Sequence, residues 1–158
     1  KGINLIIKGI KNLKKNSPIK LDLYTEKWES EYCRKMEKLI HNDNRFEIFI
    51  NKNKKEIFNK LNQYDLMVIP SLWLETGPLV AYEALSSRIP IAGSNLGGIS
   101  EILENLDNCY LIEPKIENWV DLFRKLIIRK GEENEIKFDT NYTFSNVAKS
   151  IFENLYIK

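Results

Sequence analysis

The stretch from Asp65 to Ile102, DLMVIPSLWLETGPLVAYEALSSRIPIAGSNLGGISEI, constrains the fold more than any other part of the chain. Asp65-Leu66-Met67-Val68-Ile69 is a short apolar run closed by Pro70, as expected of a strand buried on both faces. Ser71 to Thr76 read as a loop. Gly77-Pro78 then opens a helix, with Pro78 predicted at the first helical position, where its missing N–H costs nothing. Leu79, Val80, Ala81, Ala84 and Leu85 give that helix a broad apolar side. Ile89-Pro90-Ile91-Ala92-Gly93 reads as the next buried strand, and Asn95-Leu96-Gly97-Gly98 as a second glycine-bearing turn into a helix. Strand, tight turn and helix N-terminus thus occur twice in succession. Free N–H groups and the positive end of the helix dipole suit a phosphate at such a turn.

Two carboxylates sit within this stretch. Glu75 lies just before the first helix, and Glu83 follows eight residues later inside it. At about 100° per residue, Glu83 falls between Leu79 and Val80 on the helical wheel, beside the apolar side and away from the solvent face. A lone helical glutamate is usually an ordinary surface residue. A pair set across a strand–helix junction is less ordinary. Each carboxylate accepts two hydrogen bonds in a fixed plane, which suits a ribose diol or a pair of sugar hydroxyls.

Strands and helices alternate along the rest of the chain. Ile3 to about Lys15 reads as a helix, with Ile3, Ile6, Ile7, Ile10 and Leu13 as its apolar stripe and Lys8, Lys11, Lys14 and Lys15 as its basic side. A helix packed on a sheet explains that pattern more simply than a membrane-surface helix. Residues 19–24 read as a strand. Trp28 to Ile40 reads as a helix with Trp28, Tyr32, Met36, Leu39 and Ile40 inward. Phe46 to Ile50 is a strand, and Glu56 to Asn62 a short helix. Cys109 to Ile112 is a further strand. Ile116 to Arg129 is a helix packed through Trp119, Val120, Phe123, Leu126 and Ile127. Residues 131–141 read as loop, and Thr143 to Tyr156 as a closing helix. The alternation predicts an α/β fold, a Rossmann-like parallel sheet with helices on both faces, in a single domain over residues 1–158. Ligands of such sheets bind at the carboxyl ends of the strands, where both glycine turns lie.

Composition removes several function classes. The 158 residues are 43% apolar, enough for one domain with a core, and the net charge of +2 implies no nucleic-acid partner. Cys33 and Cys109 have no CxxC spacing, and a reduced cytoplasmic compartment is the simpler expectation. His41, the one histidine, sits in a polar Ile-His-Asn-Asp-Asn context and reads as a solvated loop residue. Without Cys/His clustering or His-pair spacing no zinc site is expected. No apolar run approaches the roughly 20 residues of a membrane span. The chain starts at Lys1, directly ahead of a helical pattern, which suggests a piece of a larger protein.

PSLWLETGPLVAYEAL followed by GSNLGGISEIL resembles the donor-site signature of the retaining glycosyltransferases of family 4, in the two-domain GT-B class. The matching elements are Glu75 and Glu83 with seven residues between them, then Gly97, Gly98 and Glu101. The resemblance implies a donor-binding domain that works on a UDP- or GDP-sugar without a metal ion. It implies hexosyl transfer to a glycan or lipid acceptor and an N-terminal acceptor-binding domain outside this chain. The isolated domain would then be inactive. It also implies that the first strand of the domain lies ahead of Lys1. Peripheral association of the full-length enzyme with the inner face of a membrane stays open. By the same resemblance Glu83 would hold the ribose hydroxyls. The amides of Leu79 and Val80 would meet the diphosphate, and Lys1 would neutralise part of its charge. Glu75 would hold donor-sugar hydroxyls nearest the reacting carbon. Thr76, Gly77, Pro78, Gly97 and Gly98 would complete the donor loops. Three positions depart from the pattern. Tyr24-Thr25-Glu26 replaces a Gly-x-Gly turn, Pro78 lacks an N–H, and Arg88 stands where a glycine is usual. A GT-B sugar-nucleotide epimerase and a non-catalytic nucleotide-sugar-binding domain are the alternative readings.

Overall fold

The computed structural model of the protein describes residues 2–61 and 63–129, so Lys1, the loop expected over 131–141 and the helix expected over 143–156 lie outside the described residues. The element order is α1 (Ile3–Lys11), β1 (Leu21–Thr25), α2 (Glu31–Ile40), β2 (Phe46–Ile50), α3 (Lys54–Leu61), β3 (Met67–Ile69), α4 (Leu79–Ser86), β4 (Ile91–Ser94), α5 (Gly97–Leu103), β5 (Cys109–Ile112) and α6 (Ile116–Arg129). β1 pairs in parallel with β2, from Leu21 opposite Phe46 to Thr25 opposite Ile50. β4 pairs in parallel with both β3 and β5, with Ile91 opposite Met67 and Cys109. The predicted α/β class with parallel sheets flanked by helices is therefore observed. The sheet itself comes in two parts among the described residues, β1-β2 and β3-β4-β5.

Helix α1 joins the two parts. Leu5, Ile6, Ile10 and Leu13 pack on Trp119, Val120 and Phe123 of α6, with Leu21 of β1 and Val68 of β3 against the same cluster. Ile7, on the adjoining side, packs with Leu23 and Met36. Ile6, Ile7 and Ile10 are fully buried, so the basic stripe of α1 is the solvated back of a packed helix. On the other face of the larger sheet, Ile69 and Ile91 pack on Ala81 and Ala84 of α4 and on Ile99 and Leu103 of α5. Burial of these side chains, each worth about 1.5–3 kcal/mol for a Leu or Ile, is the main source of stability.

A buried ion pair ties the smaller sheet to α1. Arg45 donates to Asp43 through Nε at 2.9 Å and Nη2 at 2.7 Å, and its Nη1 reaches the Ile10 carbonyl at 3.0 Å. The Arg45 hydrogen bonds, acting against burial, lower the Asp43 carboxyl to about 2.

Several boundaries differ from the sequence expectation for local reasons. α1 stops at Lys11 instead of Lys15, where the Asn12 side chain turns back to the Lys8 carbonyl at 3.0 Å. α2 begins at Glu31 because the Ser30 hydroxyl caps the Cys33 N–H, so Trp28 precedes the helix. Tyr32, expected inward, is exposed, and its hydroxyl accepts from the Asn4 N–H at 3.2 Å. α3 starts at Lys54, where Asn53 Oδ1 accepts from Lys55 N–H at 2.9 Å. Ile89 and Pro90 lie before β4, with the Pro90 carbonyl bonded to Met67 N–H at 2.8 Å. β2, β5 and α6 have the predicted boundaries.

Candidate functional site

The loops after β3 and β4 meet at the carboxyl ends of their strands. A cleft of about 2010 Å³ runs along the gap between the two sheets, from Pro18, Asp65 and Asn108 at the amino ends of the strands to Ser71, Glu75, Leu79, Val80 and Glu83 beyond the carboxyl end of β3. The two carboxylates singled out in the sequence therefore face a common space. Both are half-buried.

Helix α4 places its amino end between them. Pro78 is the N-cap with φ −69° and ψ 120°, one residue outside the helix and not at its first position as expected. The extended ψ keeps it out. The first bond back into the helix runs from Ala81 N–H to the Pro78 carbonyl at 2.9 Å. The N–H groups of Leu79 and Val80 lie ahead of that bond, at the free end of the helix. The first turn carries no acidic residue to compete for them.

The broad apolar side predicted for this helix is only half realised. Ala81 and Ala84 are fully buried against the sheet, but Leu79 is 66% and Val80 44% exposed. The two alanines lie on the side of α4 that packs on β3 and β4, and Leu79, Val80 and Glu83 lie round the helix on the side that lines the cleft. Leu72, Trp73 and Leu74 in the preceding loop are also exposed.

Glu75 is held at both ends. Its carboxylate accepts from the Ser71 hydroxyl, and Ser71 is only 3% exposed. Its carbonyl accepts from the Gly98 N–H at 2.7 Å. Gly98 has no room for a side chain, since a Cβ would lie 2.5 Å from the Thr76 carbonyl oxygen. Gly97 adopts φ 52°, the left-handed region that favours glycine. The second glycine turn therefore leans directly on the first. The Gly98 amide, expected to help bind a ligand, is engaged with the Glu75 backbone and acts through that loop. Asn95 fixes the turn from the other side, bonded to Glu113 at 3.0 Å and to the Ser100 hydroxyl at 2.8 Å. Gly77 has nothing within 4 Å of a would-be Cβ, and Thr76 is exposed.

Arg88, in place of a usual glycine, has φ 56°. Asn51, after β2, has φ 53°. Lys52 and Lys55 beyond it line the same cleft. The Tyr24 ring stacks on Phe49 with centroids 4.8 Å apart. Its hydroxyl lies 2.7 Å from that of Tyr64, which in turn donates to Asp22 at 2.6 Å. Burial first, and then the Asp22 bond, push the Tyr64 phenol far above its usual range.

Sequence reasoning missed Ser71 and this tyrosine network. Ser71 had a signal, a small hydroxyl directly after the closing proline of β3. The network had none, because its members are 40 and 42 positions apart.

Among the described residues no helix is long and apolar enough to cross a membrane. No curated protein sequence matches the chain significantly. Solved structures do resemble it. HepE of Anabaena, crystallised with UDP and glucose, superposes with a TM-score of 0.71 at 17% identity, over 96% of this chain and 40% of that one. The same protein crystallised with UDP gives 0.69 at 18% identity. The pneumococcal O-GlcNAc transferase GtfA, with UDP and GlcNAc, gives 0.61 at 18% identity, over 96% of this chain and 31% of that one. The chain thus spans 40% or less of these proteins' lengths. Residues 1–141 match the family model described as glycosyl transferases group 1, and the chain belongs to that family.

Proposed function

We propose that this chain is the donor-binding domain of a retaining, family 4 glycosyltransferase of the GT-B class. The enzyme would transfer a hexose from a nucleotide-diphosphate sugar to a glycan or lipid acceptor. The observation that carries this reading is the shared cleft of Glu75 and Glu83, with the amide end of α4 between them. The fold neighbours crystallised with UDP support testing that nucleotide first.

In the proposed scheme Glu83 accepts from the ribose hydroxyls. The N–H groups of Leu79 and Val80, with Lys1, meet the diphosphate and stand in for a metal ion. Preorganised donors at developing charge are worth about 3 kcal/mol each. Thr76, Gly77 and Pro78 form the near wall, while Gly97 and Gly98 brace it. Glu75, fixed by Ser71, orients the donor sugar and stabilises positive charge as the bond from the anomeric carbon to the diphosphate breaks. The acceptor oxygen then bonds to that carbon from the same face and passes its proton to the departing diphosphate. Glu75 is a positioning and electrostatic residue in this scheme. The acceptor-binding domain belongs to another part of the protein, so the isolated chain is inactive. The two free cysteines fit a reducing, cytoplasmic setting, with peripheral membrane association open to the full-length enzyme.

Isothermal titration with UDP and GDP, on folded protein that retains Lys1, tests the reading. Binding at millimolar levels or better is expected, and Glu83→Gln should weaken it about tenfold, the equivalent of one charged hydrogen bond. No binding of either nucleotide sinks the assignment. A non-catalytic nucleotide-sugar-binding domain is the second reading, favoured by the Tyr24–Phe49 stack where a Gly-x-Gly turn is usual. Turnover by the full-length protein excludes it.

A further inference from the structure

The loop between β3 and α4 has two sides. Ser71 and Glu75 line the cleft, whereas Leu72, Trp73 and Leu74, which lie between them in the chain, do not. Trp73 is 71% and Leu74 77% exposed, and Leu72 is exposed beside them. Three large apolar side chains in succession on the surface call for a partner, since an exposed apolar patch is more telling than a buried one.

The backbone that presents them is fixed. Ser71 is buried, and the Glu75 carbonyl accepts from the Gly98 N–H at 2.7 Å. A Cβ on Gly97 would lie only 3.2 Å from Leu74 Cα. The loop is thus packed on the start of α5 while its apolar side chains stand in solvent. A surface held in this way has less freedom to lose when it takes a ligand.

Charge narrows the kind of partner. The protein is 29% charged, yet residues 66–82 carry a single charge, Glu75. That carboxylate is tied to the Ser71 hydroxyl on the cleft side. The outer side of the loop has no charge of its own to offer a phosphate or a carboxylate, and its polar handle is the Trp73 indole N–H. An uncharged hydrocarbon chain suits it.

Position supplies the role. Trp73 is two residues from Glu75, so their Cα atoms lie within about 7 Å of each other. Under the donor-domain reading, Glu75 stands nearest the reacting carbon and the donor fills the cleft side of the loop. An acceptor that brings its oxygen to that carbon has the rest of its length beside Leu74 and Trp73.

We propose that Leu72, Trp73 and Leu74 form a subsite for the hydrocarbon chain of a lipid acceptor. The inference rests on the donor-domain reading and narrows the acceptor from a glycan or a lipid to one with an apolar tail.

Tryptophan emission tests it, because Trp73 is exposed while Trp119 is fully buried and Trp28 half-buried. The probes are methyl, hexyl and octyl glucoside, each below its micelle-forming concentration. Octyl glucoside should shift the emission to the blue and saturate. Hexyl glucoside should bind on the order of tenfold more weakly, since each methylene taken out of water is worth about fourfold, and methyl glucoside should give no shift. Leu74→Ser keeps the fluorophore and should weaken octyl glucoside about tenfold. Ile128→Ser, a comparably exposed residue of α6, should leave it unchanged. UDP affinity, measured by calorimetry, should be the same with and without saturating octyl glucoside, because the two ligands occupy opposite sides of the loop.

UDP binding without a saturable shift, or with equal affinity for the hexyl and octyl chains, overturns the subsite and leaves the donor reading standing. A shift produced equally by maltoheptaose assigns the loop to a soluble glycan. A shift with neutral phosphatidylcholine vesicles and none with octyl glucoside assigns it to a membrane surface. Displacement of UDP by octyl glucoside puts the chain in the cleft. Each of these three results also overturns the proposal. Binding of the alkyl glucosides by a protein that takes neither UDP nor GDP removes the donor reading, and the acceptor role falls with it.

Discussion

Gly77 and Gly98 look interchangeable in the sequence, and the structure makes opposite predictions for them. An alanine Cβ at Gly98 would lie 2.5 Å from the Thr76 oxygen, 2.6 Å from its carbonyl carbon and 2.7 Å from the Glu75 oxygen. All three are backbone atoms, so no rotamer change relieves the clash. Overpacking of this kind costs about 1–3 kcal/mol. Separating the loops also stretches the 2.7 Å bond from Gly98 N–H to the Glu75 carbonyl, worth about 1 kcal/mol. Alanine is a better helix former by up to about 1 kcal/mol, and position 98 lies in α5. The net expectation for Gly98→Ala is about 1–3 kcal/mol of lost stability. With a urea slope of about 2 kcal/mol/M, the midpoint falls by roughly 0.5–1.5 M.

Gly77→Ala meets nothing within 4 Å and requires no positive φ. It should stay within about 0.5 kcal/mol of the parent, with a small gain from the stiffer unfolded chain. Urea unfolding of both variants, followed by far-UV circular dichroism, reads the difference. Equal effects at the two glycines, or a Gly98→Ala loss below about 0.5 kcal/mol, would refute the claim that one glycine turn braces the other.

Ser71→Ala removes the hydroxyl on the Glu75 carboxylate, a charged hydrogen bond worth about 1.5–3 kcal/mol. It should weaken nucleotide-sugar binding more than binding of the nucleotide alone, as compared by titration calorimetry. The Asp43 carboxyl is lowered in the fold from 3.8 to about 2, so its contribution, on the order of 2 kcal/mol, is present above pH 4 and lost as pH falls towards 2. Asp43→Asn should be less stable at neutral pH and show a flatter fall across that window in urea midpoints. Arg88 is exposed with φ 56°, so Arg88→Gly should relieve left-handed strain and raise stability by up to about 1 kcal/mol in thermal unfolding.

What could be read from the sequence follows the range of the interactions involved. β2, β5 and α6 have the predicted boundaries because local periodicity sets them. That Glu75 and Glu83 both border the space beyond β3 follows from local order too, since a strand, a turn and a helix of known pitch separate them by only eight residues. Ser71 and the Tyr24–Tyr64–Asp22 network were not legible, because they depend on which side chains meet after folding. Nor was the division of the sheet, which concerns pairing between segments far apart. Leu79 and Val80 show the limit most clearly. Hydrophobicity alone would place Leu79, Val80, Ala81 and Ala84 in the core together. At about 100° per residue, however, Leu79 lies some 160° from Ala81 and about 140° from Ala84, so the four cannot all face the sheet. The alanine side packs on it, and Leu79 and Val80, with Glu83 between them, are left at the rim beside the helix amides. An apolar arc wider than one packing face can therefore carry a core contact on one part and the wall of a cleft on the other, and the position of each residue around the helix shows which part is which.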